Sequence, residues 1–164
     1  MPELTDARDL GGRFVVVPAA YVFLVRPDPT SRGREVLLQL RRGTGFMDGH
    51  WAAAVAGHVE RGETVFAAAC REAAEEIGVT EVDLVPWCTM QRTGTGEDPL
   101  DERVDYFFLA MSWTGTPQVR EPGKTADLRW FHLDTLPRPV VPHELRVLES
   151  VRAGSSPPIV THGF

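Results

Sequence analysis

Cysteine is scarce in this chain: Cys70 and Cys88 are the only two among 164 residues. Neither stands in a C-x-x-C or Cys/His spacing, so neither a disulfide framework nor a structural zinc site organises the fold. That usage fits a reducing cytoplasm. Positive charge is also in short supply, with 17 Lys and Arg against 23 Asp and Glu, a net charge of -6 and a pI near 5.3. A stable nucleic-acid complex held through a broad basic face needs many cations against phosphates, so small molecules or proteins are the expected partners. Long apolar runs are missing as well. The longest, Phe14 to Val25, falls short of the roughly 20 residues of a membrane-spanning helix. The amino terminus MPELTDARDL is acidic where a secretory leader would be basic and then apolar. A soluble protein without a membrane segment is expected.

What is present is a hydrophobic content of 43%, enough for one compact domain over residues 1–164 with its core at about 14–152. Phe14 to Val25 (FVVVPAAYVFLV) is apolar at nearly every position, as in a strand buried on both faces. Pro18 lacks a donor, which predicts a bend or a sheet edge there. A turn-rich connection leads to a second strand at Val36 to Leu40, and the two resemble a hairpin. The glycine-rich stretch RRGTGFMDGH is a loop before a short strand at Trp51 to Ala56. Further strands are expected at Leu84 to Gln91, Val104 to Trp113 and Leu128 to Leu133. His143 to Arg152 has the spacing of an amphipathic helix, and the tail is irregular with a short terminal strand at most. Strands with hairpin spacing and two helices give an α+β domain on a mixed sheet.

The first helix poses the functional question. Phe66, Ala69, Cys70, Ala73 and Ile77 form one apolar stripe over Thr64 to Ile77, with Thr64 as N-cap and Gly78 ending the helix in a left-handed conformation. Glu72, Glu75 and Glu76 share another sector at i, i+3 and i+4. Each like-charge pair costs about 0.2–0.5 kcal/mol, and the negative end of the helix dipole adds to the penalty. Arg71 relieves part of it through Glu75. By spacing alone this is either a solvated acidic face or a site for a hard cation such as Mg²⁺, which takes oxygen ligands and bridges carboxylates to phosphates.

The preceding loop bears on the choice. Gly57 to Val79, GHVERGETVFAAACREAAEEIGV, fits G-x5-E-x7-R-E-U-x-E-E-x-G-U, where U is bulky and aliphatic, with the small Ala73 at the first U. The stretch is similar to the signature of the Nudix hydrolase family, and the flanking TGFMDGHW and DLRWFHLDTLP resemble members that cleave nucleotides. The resemblance covers roughly Phe14 to Arg152. It implies a Nudix fold, an α/β/α sandwich with a central mixed β-sheet, and hydrolysis of a diphosphate linkage in a nucleoside diphosphate derivative with Mg²⁺ or Mn²⁺. It makes Glu72, Glu75 and Glu76 metal ligands, with the Gly57 carbonyl as a further oxygen. Glu63 and Arg71 would organise the loop and helix. The water-activating base belongs either to the helix or to a later loop, where Glu121 is the candidate, an ordinary solvated residue being the alternative.

Other residues have plainer readings beside functional ones. His58 occupies an unspecified position of the signature, which suits loop packing before catalysis. The Gly43, Gly45 and Gly49 loop lacks a P-loop pattern and is a turn. Phe46, Trp51, Tyr106, Phe107 and Phe108 include a possible base-stacking residue but fit a core. Arg103 and Lys124 are either phosphate contacts or surface charge. Val55-Ala56 replaces the Pro-Gly frequent before the first signature glycine. The elements typical of ADP-ribose, diadenosine-polyphosphate and coenzyme A members are not found, which favours a nucleoside triphosphate, oxidised or noncanonical ones included, cleaved to monophosphate and pyrophosphate in nucleotide-pool sanitation. The alternatives are a nucleotide-sensing module without turnover, a hydrolase of ADP-ribose or another conjugate, and an isoprenoid diphosphate isomerase. The last needs a cysteine in the pocket. An oligomer is left open.

Overall fold

The computed structural model describes residues 11–94 and 99–164; the acidic amino-terminal stretch and the end of the 90–98 segment lie outside them. Strands β1 (Val17–Pro27), β2 (Arg34–Arg41), β3 (Trp51–Ala53) and β4 (Val55–His58) precede helix α1 (Val65–Ile77). Strands β5 (Leu84–Arg92), β6 (Arg103–Ala110) and β7 (Thr125–His132), helix α2 (Pro142–Ala153) and strand β8 (Ile159–His162) follow. The strand order is β3-β2-β1-β6-β5-β8, with β4 also on β1 and β7 also on β2. The β1/β6 and β5/β8 pairs are parallel and the rest antiparallel, so the sheet is mixed.

The unbroken apolar run of β1 is explained by its two buried faces. Ala19, Tyr21, Phe23 and Val25 enter one core with Met90, Phe107 and the α2 residues Val147, Leu148 and Val151. Ala20, Val22 and Leu24 enter the other with Val55, Phe108 and the α1 residues Ala68, Ala69, Ala73 and Ile77. Full burial of a side chain such as Phe23 or Leu24 contributes about 1.5–3 kcal/mol. A helix thus covers each face, giving the expected sandwich.

Several local expectations are corrected. Strand β1 starts at Val17, leaving Phe14 69% exposed. Pro18 makes neither a bend nor an edge: it pairs with Val104, and its carbonyl accepts from Val59 N–H where the β4 ladder runs out, so its missing donor is not needed. The Trp51 to Ala56 segment divides at Ala54 into β3 on β2 and β4 on β1. Strand β6 ends at Ala110, short of Trp113. The stripe of α1 is buried at Ala69, Ala73 and Ile77 as expected, but Phe66 is 49% exposed and Cys70 is exposed. Alanines and the half-buried Glu72 and Glu76 take the inward sector, because this helix turns part of its carboxylate face onto β4.

Candidate active site

Helix α1 is fixed at both ends. Thr64 Oγ1 accepts from Ala67 N–H at 3.1 Å, a cap worth about 1 kcal/mol. Gly78 closes the helix at φ 72°, its N–H bonded to Ala74 O. These ends set the rotation that brings Glu72 and Glu76 against β4. Glu72 packs on the bare Cα of Gly57, where a Cβ would fall inside its carboxyl group. Glu76 Oε2 accepts from Ala56 N–H at 2.8 Å. The Val55-Ala56 pair leaves this arrangement intact: Val55 is core, and the Ala56 amide holds Glu76.

Arg71 ties the loop to the helix. Its Nε and Nη2 donate to the two Glu63 oxygens at 2.8 and 3.0 Å, Nη1 to Glu72 Oε1 at 2.6 Å, and Nη2 also to His58 O at 3.1 Å. Glu63 in turn accepts from Glu60 N–H at 3.0 Å. These bonds hold the Glu63 carboxyl down at about 2. Glu75 has only a 3.4 Å contact with Arg71, and its side chain is 57% exposed.

Glu121 acts on this group by its charge, from the loop between β6 and β7. Arg120 N–H and Gln118 N–H donate to the last carbonyls of α1, Glu76 O at 3.2 Å and Ile77 O at 3.1 Å, so this loop caps the helix end. The Glu121 charge acts on both Glu72 and Glu76, while Lys124 Nζ lies 3.1 Å from Glu121. Burial first, then Glu72 and Glu121, push the Glu76 carboxyl up to about 8, against the Ala56 hydrogen bond. Burial also raises Glu72, opposed by Arg71.

Oxygen donors under mutual repulsion beside a cradle that only glycine permits fit a hard divalent cation. Among the described residues no three acidic, His or Cys side chains are already drawn together as a ligand set. The carboxylates turn instead to local donors, Glu72 to Arg71 and Glu76 to Ala56.

A cavity of about 620 Å³ opens from the other side of the same strand, with Gly57 and His58 in its wall. Tyr21, Arg41, Arg92, Arg103 and Glu144 line it, and Phe46, 43% exposed, stands at its rim. Of these, only Arg103 and Phe46 carry a functional reading in the sequence. A usable signal lay in β6, where Arg103 and Asp105 alternate on one face of an otherwise apolar strand. Glu144 Oε2 accepts from Ala53 N–H at 2.5 Å, and burial pushes its carboxyl up to about 7. His58 as a whole is exposed, but partial desolvation of its ring and then Arg103 hold it below the ordinary value. The glycine loop is a turn, its Thr44 and Gly45 N–H groups bonded to Asp48. Phe107 and Phe108 are core, and Cys70 is not among the cavity residues, so the cysteine that isomerase chemistry needs is not at this site.

Residues 16–151 match the family model of the NUDIX domain. The chain is 36% identical over 107 residues to the NAD-capped RNA hydrolase NudC of Stutzerimonas stutzeri, covering 65% of this chain and 35% of that protein. It is 30% identical over 135 residues to the NudC of Pseudomonas aeruginosa, covering 79% and 45%. The chain therefore spans less than half the length of these curated relatives. Among solved structures, a MutT NUDIX hydrolase from Burkholderia pseudomallei superposes with a TM-score of 0.69 at 28% identity, covering 82% of this chain and 98% of that one. The NUDIX domain of Shewanella oneidensis NrtR, complexed with ADP ribose, gives 0.72 at 19% identity, covering 94% and 99%; at that identity the likeness is one of fold.

Proposed function

The chain belongs to the NUDIX family, and we propose that it is a metal-dependent pyrophosphohydrolase cleaving the diphosphate linkage of a nucleoside diphosphate derivative. The observation that carries this reading is the placement of Glu72 on Gly57 and of Glu76 on Ala56 N–H, with the Glu121 charge felt by both. Glu72, Glu76 and the Gly57 carbonyl would hold Mg²⁺ or Mn²⁺. Glu75, more exposed, would be a further ligand. A bound divalent ion supplies charge neutralisation for the diphosphate and acidifies a water. The protein's own part is to orient. Arg71 clamps the loop to the helix, Gly57 lets Glu72 approach the strand, and Glu121 reaches the reacting group from the later loop as the candidate base.

A nucleoside triphosphate, cleaved to monophosphate and pyrophosphate, is the substrate favoured by the absence of the elements typical of ADP-ribose, diadenosine-polyphosphate and coenzyme A members. A nucleotide conjugate is the second reading, supported by the polar cavity on the far side of Gly57. No described helix is long and apolar enough to cross a membrane, and the reading places the reaction on free nucleotides in the cytoplasm. The test is a panel of nucleoside triphosphates, ADP-ribose, dinucleoside polyphosphates and nucleotide sugars with Mg²⁺ or Mn²⁺. Metal-dependent release of pyrophosphate or nucleoside monophosphate is expected. Saturable nucleotide binding with no turnover of any member would replace the enzyme by a sensing module.

A further inference from the structure

The cavity behind Gly57 has a chemistry of its own. Arg41, Arg92 and Arg103 converge on it from β2, β5 and β6, although the chain as a whole carries a net charge of -6. Asp105, fully buried, accepts from Arg92 Nε at 2.8 Å. Its other oxygen lies 3.7 Å from Arg103 Nε without a hydrogen bond. Arg41 is braced by Phe46 O at 2.8 Å and Thr44 Oγ1 at 3.0 Å. Arg41 and Arg92 are thus held in place, whereas Arg103 Nε donates to nothing.

Among the described residues, four buried side-chain polar atoms lack a hydrogen bond, and one of them, Arg103 Nε, belongs to a residue that lines the cavity, with a second, Asp105 Oδ1, 3.7 Å from it. Such atoms are rare in folded proteins, and one on a guanidinium that lines a cavity can still take a polar ligand. The sign of that ligand follows from the charges. Asp101 and Asp105 offset two of the three cations. Glu144, the other carboxylate of the lining, is engaged by Ala53 N–H. Arg92, Arg103 and Arg41 together also help hold the neighbouring His143 down at about 2, after burial. The lining itself holds three guanidiniums against two carboxylates, and guanidinium forks match phosphate oxygens.

We propose that Arg41, Arg92 and Arg103 form an anion subsite that takes a phosphate ester at the nucleoside end of the substrate, away from the diphosphate that is cleaved. This rests on the reading that Glu72 and Glu76 mark the cleavage point. Gly57 belongs to both places, touching Glu72 on one side and lining the cavity on the other. A substrate whose diphosphate lies at the signature helix therefore projects its nucleoside into the cavity. The anion available there is a phosphate on the ribose, at the 2′ or the 3′ position, and the substrate class is a ribose-phosphorylated nucleoside diphosphate derivative.

Matched pairs test this: NADP against NAD for the 2′ position, and a nucleoside triphosphate 3′-phosphate against the plain triphosphate for the 3′ position. At least one phosphorylated member is expected to be favoured about tenfold or more in kcat/KM, mainly through KM, as loss of a charge-assisted contact implies. In Arg103→Gln, and separately in Arg41→Gln, that preference should shrink several-fold while turnover of the plain member persists. A binding measurement needs no turnover: calorimetry with inorganic phosphate, metal-free, should give saturable binding that Arg103→Gln weakens and Glu76→Gln leaves in place. Binding that Arg103→Gln does not alter, or equal kcat/KM within both pairs, overturns the subsite. If no substrate turns over, the hydrolase reading fails, and phosphate binding still decides the subsite.

Discussion

Glu72 lies against the bare Cα of Gly57, and no side chain can be added there without entering its carboxyl group. Glycine at this position is therefore a steric requirement for this placement of the Glu72 side chain. Gly57→Ala should push Glu72 off β4, cost about 1–3 kcal/mol of stability as an overpacking change, and weaken Mn²⁺ binding at least tenfold. Thermal melting and calorimetric Mn²⁺ titration check both effects. A variant with unaltered melting and unaltered Mn²⁺ affinity would show that the contact is dispensable.

Arg71 and Glu63 act as one unit, since the guanidinium meets both carboxylate oxygens at 2.8 and 3.0 Å. A lysine reproduces the charge and not the fork. Arg71→Lys and Glu63→Gln should each lower kcat/KM by about tenfold or more. The double variant should fall little further, because either change already frees the loop. Additive losses in a double-mutant cycle would separate the two roles.

Glu144 and His143 make stability depend on pH in opposite senses. The Glu144 carboxyl is raised to about 7 by burial, so the folded protein holds its proton where the unfolded chain has lost it. Its contribution favours folding at low pH and is lost as pH rises from about 4.5 to 7. The His143 imidazole is lowered to about 2, so its contribution is present above 6.5 and is lost as pH falls below that value. Glu144→Gln should therefore gain on the parent between pH 5 and pH 8, by on the order of 1–3 kcal/mol. Denaturant melts across that range check the slope, and parallel curves for parent and variant would contradict it.

Much of this architecture is legible in local sequence. Helix α1 announces itself through Thr64, its periodicity and Gly78, and β1 through an apolar run that serves two cores. The edges of the buried stripe of α1 are not legible in the same way, although Ala69, Ala73 and Ile77 lie inward as their spacing suggests. Polarity assigns Glu72 and Glu76 outward and Phe66 and Cys70 inward, whereas the carboxylates are half-buried against β4 and the other two are exposed. A stripe drawn by hydrophobicity misplaces side chains kept inside for their charge. Long-range groupings are harder still. Arg41, Arg92, Arg103 and Glu144 meet only because β1 pairs in parallel with β6 and α2 covers that face, and nothing within a local window joins them. Glu121 was visible as an acidic loop residue, but its approach to Glu72 and Glu76 depends on the loop's bonds to the end of α1.

The central claim is that Glu76 serves a divalent ion, and it is tested most directly by the rate of nucleotide hydrolysis as a function of Mg²⁺ concentration in the parent and in Glu76→Gln. The amide oxygen of glutamine can still accept the Ala56 N–H, so the fold should persist, with melting unchanged or raised by removal of a buried ionisable group. The account predicts Mg²⁺-dependent hydrolysis in the parent, abolished by chelation, and a fall in kcat/KM of about a hundredfold or more in the variant. Equal rates with the same Mg²⁺ dependence in the two proteins would contradict it.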